Sequence, residues 1–164
     1  MSLNISAKEI KFDTISRNIK IKKLHKDAVI PTRGSDYAAG YDLYICLKDG
    51  EDEIVIPAHT TRKVGTGLAM ELPHNYFGAI FPRSGTATKK GIRMANCTAV
   101  IDEDYRGEWI LPLHNDTDVP VSIKNGERVA QMILLPYEVI NFTEVDELTE
   151  TERGAGGFGS TGEK

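Results

Sequence analysis

Proline and turn residues punctuate this chain too often for it to build long helices. Prolines stand at positions 31, 57, 73, 82, 112, 120 and 136, and a proline inside a helix removes a hydrogen bond and clashes with the preceding turn. Turn signals recur roughly every ten residues, the spacing of a sandwich, barrel or jelly roll. The segments between them read as strands. Ile19-Lys20-Ile21-Lys22, Glu53-Ile54-Val55-Ile56 and Val119-Pro120-Val121-Ser122-Ile123 alternate apolar and polar residues, and Tyr76 to Phe81 is short and aromatic-rich. Asn125-Gly126, set between Val121–Lys124 and Glu127–Ile133, predicts a hairpin. One short helix is predicted, with Ser84 as N-cap, Gly85 to Lys90 as its body and Gly91 at the C-cap. Its start, beside Arg83, would favour an anion.

A chain of 164 residues suits one domain with a proper core. Apolar residues at 40% and charged residues at 27% fit a globular protein and not a disordered one. The apolar runs are a few residues long, such as Met132 to Pro136, too short to span a membrane as a helix. The beginning of the chain lacks the apolar core of a secretory signal. A net charge of −4 argues against a protein devoted to the nucleic-acid backbone, but leaves room for a small anion held by local arginines. Cys46 and Cys97, the two cysteines, are too few for a disulfide framework and point to a reducing compartment. His25, His59, His74 and His114 show no metal-binding spacing and read as surface or structural histidines. Residues 8–26 hold seven basic residues against two acids, and residues 138–152 hold six acids and no base. These read first as solvated faces, with pairing between them as the alternative.

Five segments carry groups suited to chemistry. Arg153 to Gly162 packs five glycines into ten residues, with Ser160, Thr161 and Arg153 as partners for phosphate. It falls short of a P-loop, because Ser160 stands at the lysine position and no helix can follow. Its composition alone suits a flexible tail, against which Phe158 and Arg153 count. Val100-Ile101-Asp102-Glu103-Asp104-Tyr105-Arg106-Gly107 predicts a hairpin turn with the Asp102 carboxylate at its shoulder. That group is either a general base toward water or part of an acidic turn stapled by Arg106. Pro82-Arg83-Ser84-Gly85 and Gly126-Glu127-Arg128-Val129-Ala130-Gln131 each offer a guanidinium and polar donors, and Ala39-Gly40-Tyr41-Asp42-Leu43 leads to one acid.

In this order, from about residue 20 to 162, the five segments resemble the trimeric dUTPase family. The resemblance implies an all-β fold, a distorted antiparallel jelly roll with one short helix, assembled as a homotrimer with active sites shared between subunits. It divides the chain into an extension at 1–19 outside the resemblance, a β domain at 20–152, and a Gly-rich tail at 153–164 that closes over an active site. The implied reaction is Mg²⁺-dependent hydrolysis of dUTP to dUMP and pyrophosphate, which limits uracil in DNA and supplies dUMP for thymidylate synthesis.

Residue roles follow from the same resemblance. Asp102 would activate the attacking water and accept from the sugar 3′-hydroxyl. Asp42 would approach the metal through water, the ion being held mainly by substrate phosphates, and Arg128 would brace the site. Arg83, Ser84 and Gly85 would face the oxygens around the scissile bond, with Gln131 on the α-phosphate. Asn96, Ala99 and Ile101 would line the uracil hairpin, and Tyr105 would stack on the deoxyribose. Arg153, Gly159, Ser160 and Thr161 would hold the γ-phosphate end, with Phe158 over the base. The chain departs from the family at Ala99, where a glycine is usual, and at Thr86, where leucine is frequent. A dCTP deaminase of the same fold and a catalytically silent interaction module are the competing functions. No stable nucleic-acid or membrane partner is expected. The expected compartment is the cytoplasm, with the nucleus as the alternative.

Overall fold

The computed structural model describes residues 16–157. Twelve strands and one helix follow in order: β1 (Lys20–Lys23), β2 (Thr32–Arg33), β3 (Tyr41–Tyr44), β4 (Glu53–Ile56), β5 (Thr61–Gly65), β6 (Leu68–Glu71), β7 (Tyr76–Pro82), α1 (Ser84–Lys90), β8 (Ile92–Met94), β9 (Ala99–Ile101), β10 (Ile110–Asn115), β11 (Val121–Lys124) and β12 (Arg128–Pro136). Every recorded strand pair is antiparallel. The fold is the expected distorted antiparallel jelly roll. Its largest sheet has the order β2-β3-β12-β7-β9, and the others are β5-β10-β8, β11-β4 and β1-β6.

Alternation of side chains builds the core. In β10 the buried residues Leu111, Leu113 and Asn115 alternate with more exposed neighbours. Leu111 and Leu113 join Trp109, Leu43, Ile56, Leu68, Ile80, Ile92 and Ile123 in one apolar cluster. Asn115 is the polar member of this face, and its amide donates to Ile56 O and Val119 O, so it is buried with partners. Trp109 is fully buried, and the edge of its ring lies against Gly78 of β7, where an added Cβ would stand 2.8 Å from Cη2.

Several local expectations are corrected. Ser84 is the first residue of α1 and not its N-cap; Arg83 occupies the cap position with extended backbone and supplies no side-chain cap. Gly91 is the C-cap, with φ of 63°. Asn125-Gly126 makes a turn closed by Glu127 N–H donating to Lys124 O, but β11 and β12 do not pair with each other. Only Gly126 has positive φ there, whereas a type I′ hairpin turn needs it at both central residues. The turn hands the chain from one sheet to another, and Asn125 Oδ1 accepts from Leu47 N–H to fix the crossing. The segments around Asp102 behave the same way. The turn at Glu103-Asp104 forms, with Tyr105 N–H donating to Asp102 O, yet β9 pairs with β7 and β10 pairs with β5 and β8. The hairpin expected around Asn96 also has flanks in different sheets.

Gly78→Ala tests the packing of the central sheet. The added methyl must displace a buried indole, so a loss of about 1–3 kcal/mol is expected. Denaturant unfolding at fixed protein concentration measures it, and an unchanged midpoint would contradict this packing.

Candidate active site

Asp42 lies on β3, opposite Gln131 of β12 and Thr32 of β2. Its side chain is 9% exposed. Arg83 Nε lies 2.8 Å from Oδ1, and Arg128 Nη1 donates to Oδ2 at 3.0 Å. One carboxylate therefore orients two guanidiniums from different elements. Charge-assisted contacts of this kind are stronger than neutral ones, although both arginines keep solvent contact that weakens the Coulomb part.

The register explains the grouping. β12 lies between β3 and β7, so Gln131 faces Asp42 on one side and Phe81 on the other. A bulge between Arg128 and Ala130 shifts the register where Arg128 joins Asp42. Gln131 Nε2 donates to Pro82 O, and Gly40 leaves room for this side chain: a Cβ at position 40 would stand 2.5 Å from Gln131 Oε1. Ser84 and Gly85 are exposed at the start of α1. The buried Thr86 hydroxyl faces Arg128 O at 3.5 Å, a role its sequence position did not advertise.

A second group sits around β9. Asp102 is exposed and lines a cavity of about 190 Å³ with Ile101, Tyr105 and Glu108. Tyr105 donates its hydroxyl to Glu108 O and lies back over Gly107, where any Cβ would meet the phenol at 2.4 Å. Ala99 is buried opposite Ile80 and belongs to the core cluster. Asn96 is exposed in the preceding turn, beside Cys97 at φ of 59°. Arg106 braces the turn through Glu103 O and Tyr105 O, and so acts on backbone carbonyls rather than carboxylates.

Sequence reasoning missed Glu103. Its carboxylate accepts from Asn75 N–H and contacts His74 Nδ1 at 2.8 Å. The hydrogen bond to His74 is the main cause that holds its carboxyl below the usual range, and Tyr137 and Asn75 N–H add to it. Glu103 thereby ties the Asp102 turn to the loop before β7. The partners are about thirty residues away in sequence, and no local pattern announces them.

The two groups stand at opposite ends of β7. Ile101 pairs with Gly78, so Asp102 falls beside Phe77, six residues before Arg83. At about 3.3 Å per residue that is a separation of roughly 20 Å. Arg153 is exposed in the turn after Thr151 and donates to Gly156 O. Phe158, Gly159, Ser160 and Thr161 lie outside the described residues.

A family model described as dUTPase matches residues 26–162. The deoxyuridine 5′-triphosphate nucleotidohydrolase of Nautilia profundicola is 46% identical over 144 residues, which cover 88% of this chain and 98% of the relative. The mitochondrial deoxyuridine 5′-triphosphate nucleotidohydrolase of Dictyostelium discoideum is 47% identical over 146 residues, covering 88% and 77%. Among solved structures, Staphylococcus bacteriophage 80alpha dUTPase with dUpNHpp matches with a TM-score of 0.80 and 26% identity, over 90% of this chain and 99% of the other.

The Glu103 tie has a defined pH signature. Its folded pKa is depressed, so its contribution is present above the unfolded value of about 4.3 and is lost as pH falls below it. Glu103→Gln should lower the thermal midpoint at pH 7, and the gap to wild type should close as pH drops from about 5 toward 3. A gap that stays constant across that range would remove this role.

Proposed function

The chain belongs to the dUTPase family, and from that premise we propose that it hydrolyses dUTP to dUMP and pyrophosphate at a site shared between copies of the chain. The observation that carries the reading is the exposed Asp102 carboxylate beside the tethered Tyr105 ring. In this mechanism Asp102 takes a proton from a water held against it. The water oxygen bonds to the α-phosphorus, the bond from that phosphorus to the bridging oxygen breaks, and pyrophosphate leaves. Ser84, Gly85 and Arg83 face the oxygens around that bond, Gln131 holds the α-phosphate, and Arg128 braces the set through Asp42. Arg153, Gly159, Ser160 and Thr161 take the γ-phosphate end.

Base choice is a matter of hydrogen-bond pattern. Uracil presents O4 as acceptor and N3–H as donor, and cytosine presents the reverse. A strand edge around Asn96, Ala99 and Ile101 reads that difference, and a mismatch leaves buried polar groups unpaired, which supports discrimination of about 10⁴ or more. The Tyr105 ring against the deoxyribose leaves no room for a 2′-hydroxyl. Phe158 stacks over the base, a contact of about 1–3 kcal/mol.

The 20 Å gap between Asp102 and Arg83 supports the shared site, at roughly 3.3 Å per residue along β7. A second subunit closes the gap by presenting its phosphate-binding residues to the first subunit's Asp102, and a homotrimer supplies three such sites, with tails reaching across. The tail residues 153–164 act as the closing element.

Mg²⁺ is the proposed ion. Both Asp42 oxygens already face guanidinium nitrogens, so Asp42 suits an outer position, touching water of an ion that the substrate phosphates hold. When bound, the ion offsets charge growing on the leaving pyrophosphate. The products link the enzyme to a low dUTP pool and to dUMP supply. Cytoplasmic location, with the nucleus as the alternative, is the proposed setting, and free Cys46 and Cys97 suit a reducing compartment.

Pyrophosphate release with Mg²⁺ tests the reading across dUTP, dCTP, dTTP and UTP. Release from dUTP alone is expected, with Asp102→Asn slower by at least about 100-fold. Equal release from all four, or an unimpaired Asp102→Asn, would overturn it. Ammonia from dCTP would establish the deaminase, and silence from a folded protein would establish the interaction module. Removal of residues 153–164 is expected to abolish most turnover while sedimentation still reports a trimer; a truncated protein with normal rate would remove the tail from the mechanism.

A further inference from the structure

The Tyr105 ring is held in place by the turn between β5 and β6, and Glu108 is the link. Glu108 stands two residues before β10 and is half-buried. Its Oε1 accepts from Gly67 N–H at 2.8 Å. Its peptide carbonyl accepts from the Tyr105 hydroxyl at 3.0 Å. The same peptide unit carries Trp109 N–H, which donates to Leu68 O at 2.9 Å. Trp109 O in turn receives both the N–H and the hydroxyl of Thr66. The carbonyl that holds the phenol therefore belongs to a segment fixed by Thr66, Gly67 and Leu68, none of which lines the cavity beside Asp102.

Two glycines keep space for the two side chains. A Cβ at Gly65 would stand 2.9 Å from Glu108 Cδ, and one at Gly107 would stand 2.6 Å from Tyr105 Cζ. Neither glycine has positive φ, so the backbone itself does not call for them. Gly65 pairs with Ile110 within the β5–β10 ladder, where any small residue would suit the strand. Their common property is the absence of a side chain: Gly65 seats the Glu108 carboxylate, and Gly107 seats the phenol.

We infer that Glu108 is a positioning residue for sugar discrimination: by anchoring the peptide that holds Tyr105, it fixes the ring where a 2′-deoxyribose fits and a 2′-hydroxyl does not. The inference rests on the placement of Tyr105 against the sugar proposed above. Tyr105 and Glu108 both line the cavity of about 190 Å³ that includes Asp102. An apolar wall rejects an added hydroxyl by only about 100-fold, so the stiffness of the wall matters as much as its shape. A ring free to rotate on a surface turn would yield to one extra oxygen. A ring bonded at its far end and seated on a bare Cα cannot yield without breaking that bond. Glu108 acts through an acceptor oxygen, which a glutamine carbonyl reproduces.

The values of kcat/KM for dUTP and UTP, measured on one preparation, test this, because their ratio does not depend on how much of the protein is folded. Glu108→Ala and Tyr105→Phe should each raise UTP relative to dUTP by about tenfold, the scale of one lost hydrogen bond. Gly65→Ala lies behind Glu108 and displaces its carboxylate, so it should shift the ratio in the same direction. Gly107→Ala should do the same by pushing the ring off its seat. Glu108→Gln should keep the wild-type ratio. A wild type that hydrolyses dUTP, with an unchanged ratio in Glu108→Ala and Gly65→Ala, would overturn this inference and leave the proposed function standing, even if both variants melted earlier. Glu108→Gln as permissive as Glu108→Ala would also overturn it. A folded wild type without dUTP hydrolysis would overturn the proposed function and this inference with it.

Discussion

The position of β12 between β3 and β7 is the constraint on which the rest of the molecule depends. It is the longest strand and pairs on both sides. Its pairing with β7 from Ala130 to Pro136 and with β3 on the other edge carries Gln131 to face Asp42 and Phe81 at once, and the bulge after Arg128 brings its guanidinium to the same carboxylate. Were β12 to slip by one residue, Val129, Ala130 and Met132 would leave the core and Gln131 would turn away from Asp42. The hydrophobic pattern of β12 thus sets both the core and the polar group beside it. Folding and the spacing of Asp42, Arg83 and Arg128 are one problem with one solution.

Strand positions were legible because alternation is a local property. Glu53–Ile56 and Tyr76–Pro82 form close to where their side chains alone suggest, and α1 ends on Gly91 as its backbone freedom requires. Strand partners were not legible. Asn125-Gly126 makes its turn, yet the chain leaves it for a different sheet, because Asn125 Oδ1 is taken by Leu47 N–H and β12 gains partners on both edges from β3 and β7. A hairpin there would have offered one neighbour. The same logic separates β9 from β10 across the Asp102 turn: local signals mark where the chain bends, while competition between sheets decides where it goes.

The candidate site divides along the same line. Motif order pointed to Asp42, Arg83, Arg128 and Gln131, and the sheet register brings these together. Motif order also pointed to Asp102 and Tyr105, which share one cavity. What it did not carry was the support beneath them. Glu103 reads as one more acid in an acidic turn, but its contacts with His74 and Asn75 are what anchor the turn to the neighbouring loop. Thr86, read as a departure from the family pattern, is buried with its hydroxyl toward Arg128 O. Ala99, the other departure, packs in the core against β7. Its methyl is accommodated on the apolar side of the strand.

A rigid sheet explains why the two polar groups stay apart. Both are fixed to β7, one at each end, and a paired strand cannot shorten the distance between its own residues. Within one chain the guanidiniums therefore stay away from the Asp102 carboxylate, and the proposed shared site would join them across a boundary between chains. That arrangement has a physical advantage. Each subunit pairs the buried Asp42 carboxylate with both guanidiniums, so a free subunit leaves no buried charge unpaired at that point and keeps one positive charge in excess. In the shared site proposed above, the anionic substrate would answer that excess charge. In the proposed shared site, catalytic competence would be a property of assembly, while the stability of each half is a property of its own fold.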